Sequence, residues 1–436
     1  MSGRKSAFPM VPMHDAIATI LREASALAAA VQNERVPLAQ SVGRTIAHDI
    51  KAPGNLPPFR ASVMDGYAVV SADGPGDYPM VAKALAGSGA SVDAKLLPGQ
   101  LAYITTGAPV PDGADAVVKI EDTEELPEDA CGGVRVHICV RGEVKPGTAV
   151  RAVGSDIAEG EVVLRAGQLV GASEVGLLAS VGSATAPVLR RPRVAVMSTG
   201  DELVDPSAPE LGPAQIRDSN RAMLLAMAAE CGCEVLDLGI VTDQERLLEE
   251  TMARAVASAD VVITSGGVSM GNRDLVKPLL AKLGTIHFGR LCMKPGKPTT
   301  FATLEGAEDK KVLFFALPGN PVSAFVTFHL CVVPALRRLR GMAPESCTYP
   351  TLPAVIKAPM RLDSVRPEYH RVLASVDPLT TTPSILAVST GKQTSCRLLS
   401  ARAANGLIYV PKGTGILEAG SVQELTLFGE LLPPAE

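Results

Sequence analysis

Lys294 and Lys297 stand three residues apart in Met293-Lys-Pro-Gly-Lys-Pro298, where two prolines and a glycine stiffen the loop. Two ammonium groups held on a stiff loop suit a compact dianion, although a solvated basic loop has the same composition. A different chemistry is written in Asp260-Val-Val-Ile-Thr-Ser265-Gly266-Gly267, an apolar run broken by a hydroxyl and two glycines. Ser269 follows, and a helix is expected from near Asn272, with Asp274 in its first turn. Strand, glycine loop and helix N-terminus together offer N–H donors and a positive dipole end to a phosphate. An ordinary turn between strand and helix, with Asp274 as a favourable first-turn acid, uses the same residues.

Two more turns share this texture. Ser198-Thr199-Gly200-Asp201-Glu202 follows one expected strand, and Leu317-Pro-Gly319-Asn320-Pro321-Val-Ser323 follows another. In a parallel sheet, turns that follow strands share one edge, which is where ligands bind. Three such turns with hydroxyls, glycines and acids suggest a phosphate-bearing, nucleotide-like ligand, with Mg²⁺ bridging carboxylates and phosphate oxygens. Asn320 has the composition of a helix N-cap with Pro321 as first helical residue, and Asp218-Ser-Asn220 likewise reads as capping.

The elements that would position these residues follow from periodicity. An amphipathic helix is expected over 14–31, with Ile17, Ile20, Leu21, Ala24 and Leu27 on one side. Residues 51–148 read as short strands between Pro/Gly turns, clearest at 102–106, 116–120 and 134–140. From Arg193 the pattern alternates: strands at 194–197, 235–240, 261–264, 285–288 and 312–316, helices at 220–231, 244–258 and after 272, and one long helix from 321 toward 340. Such alternation predicts a parallel sheet covered by helices. The last 90 or so residues return to short strands, as in a barrel or sandwich.

At 436 residues the chain should hold roughly three domains. A hydrophobic content of 47% with 20% charged residues is globular, and a net charge of −5 without a basic run argues against nucleic acid. No membrane span and no secretory leader is legible, so a cytoplasmic protein is expected. The eight cysteines form no C-x-x-C pair and the six histidines show no metal-ligand spacing, so reduced thiols are expected.

Taken together, the stretches resemble the molybdopterin molybdenumtransferase family, which includes the bacterial MoeA proteins, the gephyrin E domain and their plant counterparts. The matching residues are Pro57-Pro-Phe, Ser62-Val-Met-Asp-Gly-Tyr-Ala, Thr105-Thr-Gly-Ala-Pro-Val-Pro-Asp-Gly-Ala-Asp, Ser198-Thr-Gly-Asp-Glu-Leu, Ser265-Gly-Gly-Val-Ser-Met-Gly, Lys294-Pro-Gly-Lys-Pro and Leu317-Pro-Gly-Asn-Pro-Val-Ser. They occur in family order from about Phe8 to Phe428.

The resemblance implies a multidomain α/β plus β architecture. An N-terminal helix (8–34) packs on an α/β molybdopterin-binding domain (186–341). A connector (35–53 and 149–185) carries an inserted β subdomain (54–148), and a C-terminal β-barrel closes the chain (342–436). It also implies an elongated homodimer with the active site shared between subunits. The implied enzyme transfers molybdenum from molybdate to adenylylated molybdopterin and releases AMP, with Mg²⁺ as cofactor.

Carried over, Asp65, Thr106, Asp156, Glu202, Asp243 and Asp274 are the expected catalytic set, with Glu202, Asp243 and Asp274 as metal ligands. Ser198, Thr199, Gly200, Ser265, Gly266, Gly267, Ser269, Gly319, Asn320 and Pro321 are expected to bind the pterin substrate. Lys294, Lys297, Pro298, Arg366, Ser395 and Cys396 are expected to bind molybdate, a dianion that such cations hold well.

Two positions depart from the family pattern: Met64 stands where gephyrin-like members carry Lys, and Cys396 where Ser is expected. The adenylyltransferase domain fused to this one in plant and animal members is not in the sequence given, so either a separate adenylyltransferase partner supplies that step or this is a fragment of a longer protein, with cofactor-acceptor proteins expected downstream. The competing readings are a pterin adenylyltransferase and a non-catalytic, gephyrin-like scaffold.

Overall fold

The computed structural model describes residues 8–87, 95–125, 135–138, 144–267, 275–306, 310–377 and 384–433. Ser269 and Asp274 lie outside the described residues, as does the start of the helix expected after 272.

The sheet that carries the three turns has six strands in the order Glu234–Val241, Arg193–Thr199, Val261–Ser265, Lys311–Leu317, Thr300–Glu305, Gly284–Phe288. Its inner strands Arg193–Thr199, Val261–Ser265 and Lys311–Leu317 read as nearly continuous apolar runs because both faces are covered. Alternate residues feed two separate cores. Val194, Val196, Val261, Ile263, Leu313 and Phe315 point into one, with Ile20 and Leu27 of helix Met13–Ala28, Leu224 of helix Ser219–Glu230, and Val322. Ala195, Met197, Val262, Phe314 and Ala316 point into the other, under Leu248 and Met252 of helix Glu245–Ser258 and Leu279 of helix Val276–Leu283.

Two expectations need correction. The sheet is not wholly parallel: Thr300–Glu305, which the sequence reading did not separate out, runs antiparallel to both neighbours. It is reached from Gly284–Phe288 through the Lys294–Pro298 loop without a crossover helix, so the chain can only return antiparallel. The long helix is also interrupted. Pro321–Thr327 and Val333–Leu339 are α-helical, and Phe328–Val332 between them is a π-turn. Pro334 has no N–H for the residue four before it, and the wider turn absorbs that loss. The Pro321–Leu339 stretch is long and apolar enough to cross a membrane, but 78% of its apolar window is buried here, as befits a core helix.

The inserted domain is a six-stranded sheet running Ala116–Lys119, Gly66–Val69, Leu101–Ile104, Asp77–Ala84, Arg135–Ile138, Thr123–Glu125. Gly66 permits the close crossing of the first two strands, since a Cβ there would sit 2.0 Å from the Val118 carbonyl oxygen. The connector pairs Asn33–Pro37 with Thr185–Leu189 and buries Val36, Ile46, Leu178 and Val188 beneath helix Ala172–Ser180. A closed five-stranded barrel (Thr351–Ile356, Ile385–Ser389, Glu368–Val376, Gly406–Val410, Val422–Leu427) ends the chain around Ile356, Val372, Ile408 and Leu425.

Candidate functional site

The three turns do share one crest. Ser198 pairs with Ser265, and Ser265 with Leu317, so the strands end level. Gly266 and Gly267 have φ of 92° and 65°, the left-handed region that glycine adopts freely. Their loop lies hard against the first turn: a Cβ on Gly266 would come within 2.3 Å of the Thr199 carbonyl oxygen, and one on Gly267 within 2.9 Å of Thr199 Oγ1. Asp218 is the helix cap, accepting from Arg221 N at 3.1 Å and from Ser198 Oγ at 3.1 Å.

Asn220, read from sequence as capping, instead turns into the crest. Its Nδ2 donates to Ser265 Oγ at 2.6 Å and to the Gly319 carbonyl at 2.8 Å, tying two of the turns together. Its place in the second helical position, where a cap is not needed, was the available signal. Thr199 Oγ1, Asn220 Oδ1 and Thr264 Oγ1 are buried without a hydrogen-bond partner, an uncommon concentration of unsatisfied polar atoms. Asn320 begins its helix without a side-chain cap bond and is exposed, free to face a ligand.

Acids gather at one end of the crest. Asp243 N donates to Asp201 Oδ1 at 3.0 Å, and the Glu202 carboxylate folds back over Gly200. Among the described residues no group of three His, Cys, Asp or Glu is spaced to hold a metal, so Glu202 and Asp243 do not form a closed site there.

On the inserted domain, Asp65 accepts from the backbone N and Oγ1 of Thr106 at 2.6 and 3.0 Å. These two bonds, the backbone one first, hold its carboxyl below the usual aspartate range. Asp156 belongs to a separate turn, where it pairs with Arg151 and accepts from Ser155 Oγ at 3.3 Å. The hydrogen bonds of Asp65, Thr106 and Asp156 stay within the inserted domain and connector.

All six residues expected to bind the oxyanion line one cleft of about 780 Å³, where the sheet meets the barrel. Lys294, Lys297 and Pro298 come from the loop after Gly284–Phe288, Arg366 from the barrel, and Ser395 and Cys396 from a later barrel segment. Asn320 and Ser323 of the crest line the same cleft, joining it to the glycine loop. Ser395 O accepts from Val322 N at 3.1 Å, and Arg366 Nη1 donates to Met293 O at 3.1 Å.

The sequence reading missed the acids of this cleft. Lys294 Nζ lies 3.0 Å from Glu368 Oε2 and 3.9 Å from Asp363 Oδ2. Glu368 Oε1 is 3.2 Å from His370 Nδ1, and His370 Nε2 is 2.8 Å from Ser389 Oγ. Burial pushes the Glu368 carboxyl up, but His370 and Lys294 outweigh it and the net shift is downward. Backbone N–H groups of Val365 and Arg366 hold Asp363 low. The alternation of Glu368 and His370 on one face of a strand in Pro-Glu-Tyr-His-Arg was the signal that could have revealed them.

An α/β sheet with a polar crest, an adjoining cationic cleft and two β modules defines a multidomain class of α/β plus β proteins. Comparison with known proteins narrows this. Residues 11–182 match the MoeA N-terminal region (domain I and II), 195–338 a probable molybdopterin binding domain, and 353–428 the MoeA C-terminal region (domain IV). The chain is 38% identical to a molybdopterin molybdenumtransferase of Haemophilus influenzae, over 71% of this chain and 74% of that one. It is 34% identical to molybdopterin molybdenumtransferase 2 of Mycobacterium tuberculosis, over 88% and 93%. A solved molybdopterin biosynthesis MoeA protein from Pyrococcus horikoshii superposes with a TM-score of 0.80 at 31% identity, covering 97% of this chain and all 100% of that one. The chain belongs to the molybdopterin molybdenumtransferase family. It is also 38% identical to the gephyrin of Dictyostelium discoideum over 98% of its own length, but spans only 64% of that protein, and 66% of the Drosophila melanogaster protein named cinnamon.

Proposed function

We propose that the chain inserts molybdenum, taking it from molybdate to adenylylated molybdopterin and releasing AMP. The observation that carries this reading is convergence: Lys294, Lys297, Arg366, Ser395 and Cys396, from three separated segments, line one cleft with Asn320 of the crest. A tetrahedral dianion fits a cleft lined by two ammonium groups and a guanidinium. The pterin substrate occupies the crest, with its phosphates on the Ser265-Gly266-Gly267 loop and beside Thr199. In this arrangement the dithiolene sulfurs reach the oxyanion through the passage at Asn320.

Glu202 and Asp243, with Asp274, are the residues that would hold Mg²⁺; their carboxylates are the hard oxygen ligands it prefers, and it would offset charge on the phosphates. Asp65 and Thr106, bonded to each other on the inserted domain, would reach this site from the partner subunit of a homodimer. The reacting dithiolene belongs to the substrate, so no cysteine nucleophile is required.

Measuring AMP release from adenylylated molybdopterin, with and without molybdate, tests the proposal. Molybdate-stimulated release is the expected result. Release indifferent to molybdate, together with formation of the adenylylated pterin from ATP, would make the chain an adenylyltransferase instead.

A further inference from the structure

Arg371, on the Glu368–Val376 strand, is fully buried. Its Nε and Nη2 lie 3.2 and 3.1 Å from Ser400 Oγ, and its Nη1 has no hydrogen-bond partner. Among the described residues no carboxylate is paired with it, and burial pushes the guanidinium down to about 10, with Glu368 opposing. A dry guanidinium without a carboxylate is costly, and packing alone would be served better by an apolar residue.

The guanidinium holds Ser400, and the backbone of the same residue holds the other end of that segment. Its backbone N–H donates to Gln393 Oε1 at 2.9 Å, while its carbonyl accepts from Gln393 Nε2 at 3.2 Å and from Thr390 Oγ1 at 3.1 Å. One residue therefore grips the 390–400 segment near its start, through Thr390 and Gln393, and at its end, through Ser400. Between the two grips the chain has little regular structure, and there stand Ser395 and Cys396. Gln393, Thr394, Ser395 and Cys396 all line the oxyanion cleft.

We propose that Arg371 is a positioning residue for the oxyanion: through Ser400 and Gln393 it fixes Ser395 and Cys396 against the cleft opposite Lys294 and Lys297. The inference rests on the assignment of that cleft to molybdate. The gain is pre-organisation, since an irregular segment held at both ends loses little freedom when the dianion arrives.

Cys396 makes the segment observable, because it is an exposed free thiol in the cleft wall. The test uses the full chain as wild type, Arg371→Lys, Ser400→Ala, both together, and Lys297→Ala. Two quantities are read for each: iodoacetamide alkylation of Cys396 by mass spectrometry, and the Kd of inorganic molybdate. Molybdate should protect Cys396 in the wild type. Arg371→Lys and Ser400→Ala should each weaken molybdate about tenfold, as loss of a supporting contact behind a ligand typically does, and quicken Cys396 alkylation.

Affinity for adenylylated molybdopterin should stay within about twofold, a split that general loss of structure would not produce. The double variant should be no worse than Arg371→Lys alone, since both remove one contact. Ser400→Ala deletes a single hydroxyl and carries the test if Arg371→Lys does not fold. Wild-type molybdate affinity and alkylation in the variants, with Lys297→Ala weakened, overturns the positioning role alone. Failure of molybdate to protect Cys396, with Lys297→Ala also unaffected, overturns the cleft assignment and this inference with it.

Discussion

Asn220 Nδ2 lies 2.6 Å from Ser265 Oγ and 2.8 Å from the Gly319 carbonyl, so one side chain spans two loops that are 54 residues apart in sequence (319 − 265). The helix that carries it is set by Asp218, which caps at 3.1 Å through Arg221 N. Capping and bridging are thus divided between two residues of Asp218-Ser-Asn220. The first fixes where the helix begins, and the second spends that placement on holding the crest.

Replacing Asn220 by Ala should therefore cost both stability and turnover. Two buried hydrogen bonds at roughly 1 kcal/mol each suggest a loss of about 2 kcal/mol, read from the urea midpoint. The adenylylated pterin should bind more weakly, because the Ser265-Gly266-Gly267 loop loses its tie to Gly319. Molybdate affinity should be unchanged, and an equal loss for both ligands would place Asn220 in the oxyanion cleft.

Lys294 and Lys297 should not behave alike. Lys294 is engaged by Glu368 at 3.0 Å and Asp363 at 3.9 Å, whereas no ion pair is recorded for Lys297 among the described residues. Lys297→Ala should weaken molybdate by about 2–5 kcal/mol, as truncation of one charged partner typically does, with little change in melting temperature. Lys294→Ala should also destabilise the fold, since it strips a mostly buried carboxylate of a partner. Glu368 has its folded pKa held below the ordinary 4.5, so its contribution is present above that value and is lost as pH falls through the lower, folded one. The stability gap between wild type and Lys294→Ala should accordingly close as the pH is taken below the ordinary 4.5 and through the lower folded value. A gap that stayed constant would mean that Lys294 acts through its alkyl chain.

The crest was legible because strands buried on both faces leave uninterrupted apolar runs, and the turns that follow them must share an edge. The oxyanion cleft was legible only in part. Lys294 and Lys297 announce themselves on a stiff loop, but Arg366, Ser395 and Cys396 lie in segments whose local pattern says only turn, and the family resemblance supplied them. Arg371 was invisible for a physical reason: it is a charged residue on a barrel strand, where a charge predicts exposure, yet it is fully buried. The antiparallel Thr300–Glu305 strand was missed because nothing local distinguishes a strand that returns through a loop from one that waits for a helix.

A shared active site predicts complementation between defective subunits. Asp65→Asn and Lys297→Ala should each be nearly inactive alone, since one sits on the inserted domain and the other in the cleft. In a mixed dimer one of the two composite sites regains both wild-type residues. Equal mixing should restore about a quarter of wild-type AMP release, because half the dimers are mixed and each has one good site. Mixed dimers confirmed by mass but without activity would show that each chain builds its site alone.

His329 should make the fold acid-sensitive. It sits in the π-turn of the core helix, stacked on Phe428 at 4.1 Å between centroids, with Nδ1 3.1 Å from the Tyr349 hydroxyl. Burial drives its pKa down to about 3, with Arg337 adding to the effect. A base whose folded pKa is depressed stays neutral in the native state while the unfolded chain takes up a proton below its ordinary value of 6.5. The unfolded state then binds more protons between those two values, so stability falls as pH falls through that window. Each pH unit well inside it is worth about 1.4 kcal/mol, and from pH 7 to pH 5 the loss from this residue should be about 2 kcal/mol. His329→Phe keeps the aromatic stack without the titrating nitrogen, at the expense of the Tyr349 contact. Urea unfolding of wild type and variant at pH 7 and pH 5 reads the difference directly. The variant should be the less stable at pH 7 or close to equal, and should lose markedly less stability at pH 5. Parallel losses in the two proteins would mean that His329 is already protonated in the folded state at pH 5, its Nδ1–H donating to the Tyr349 hydroxyl oxygen.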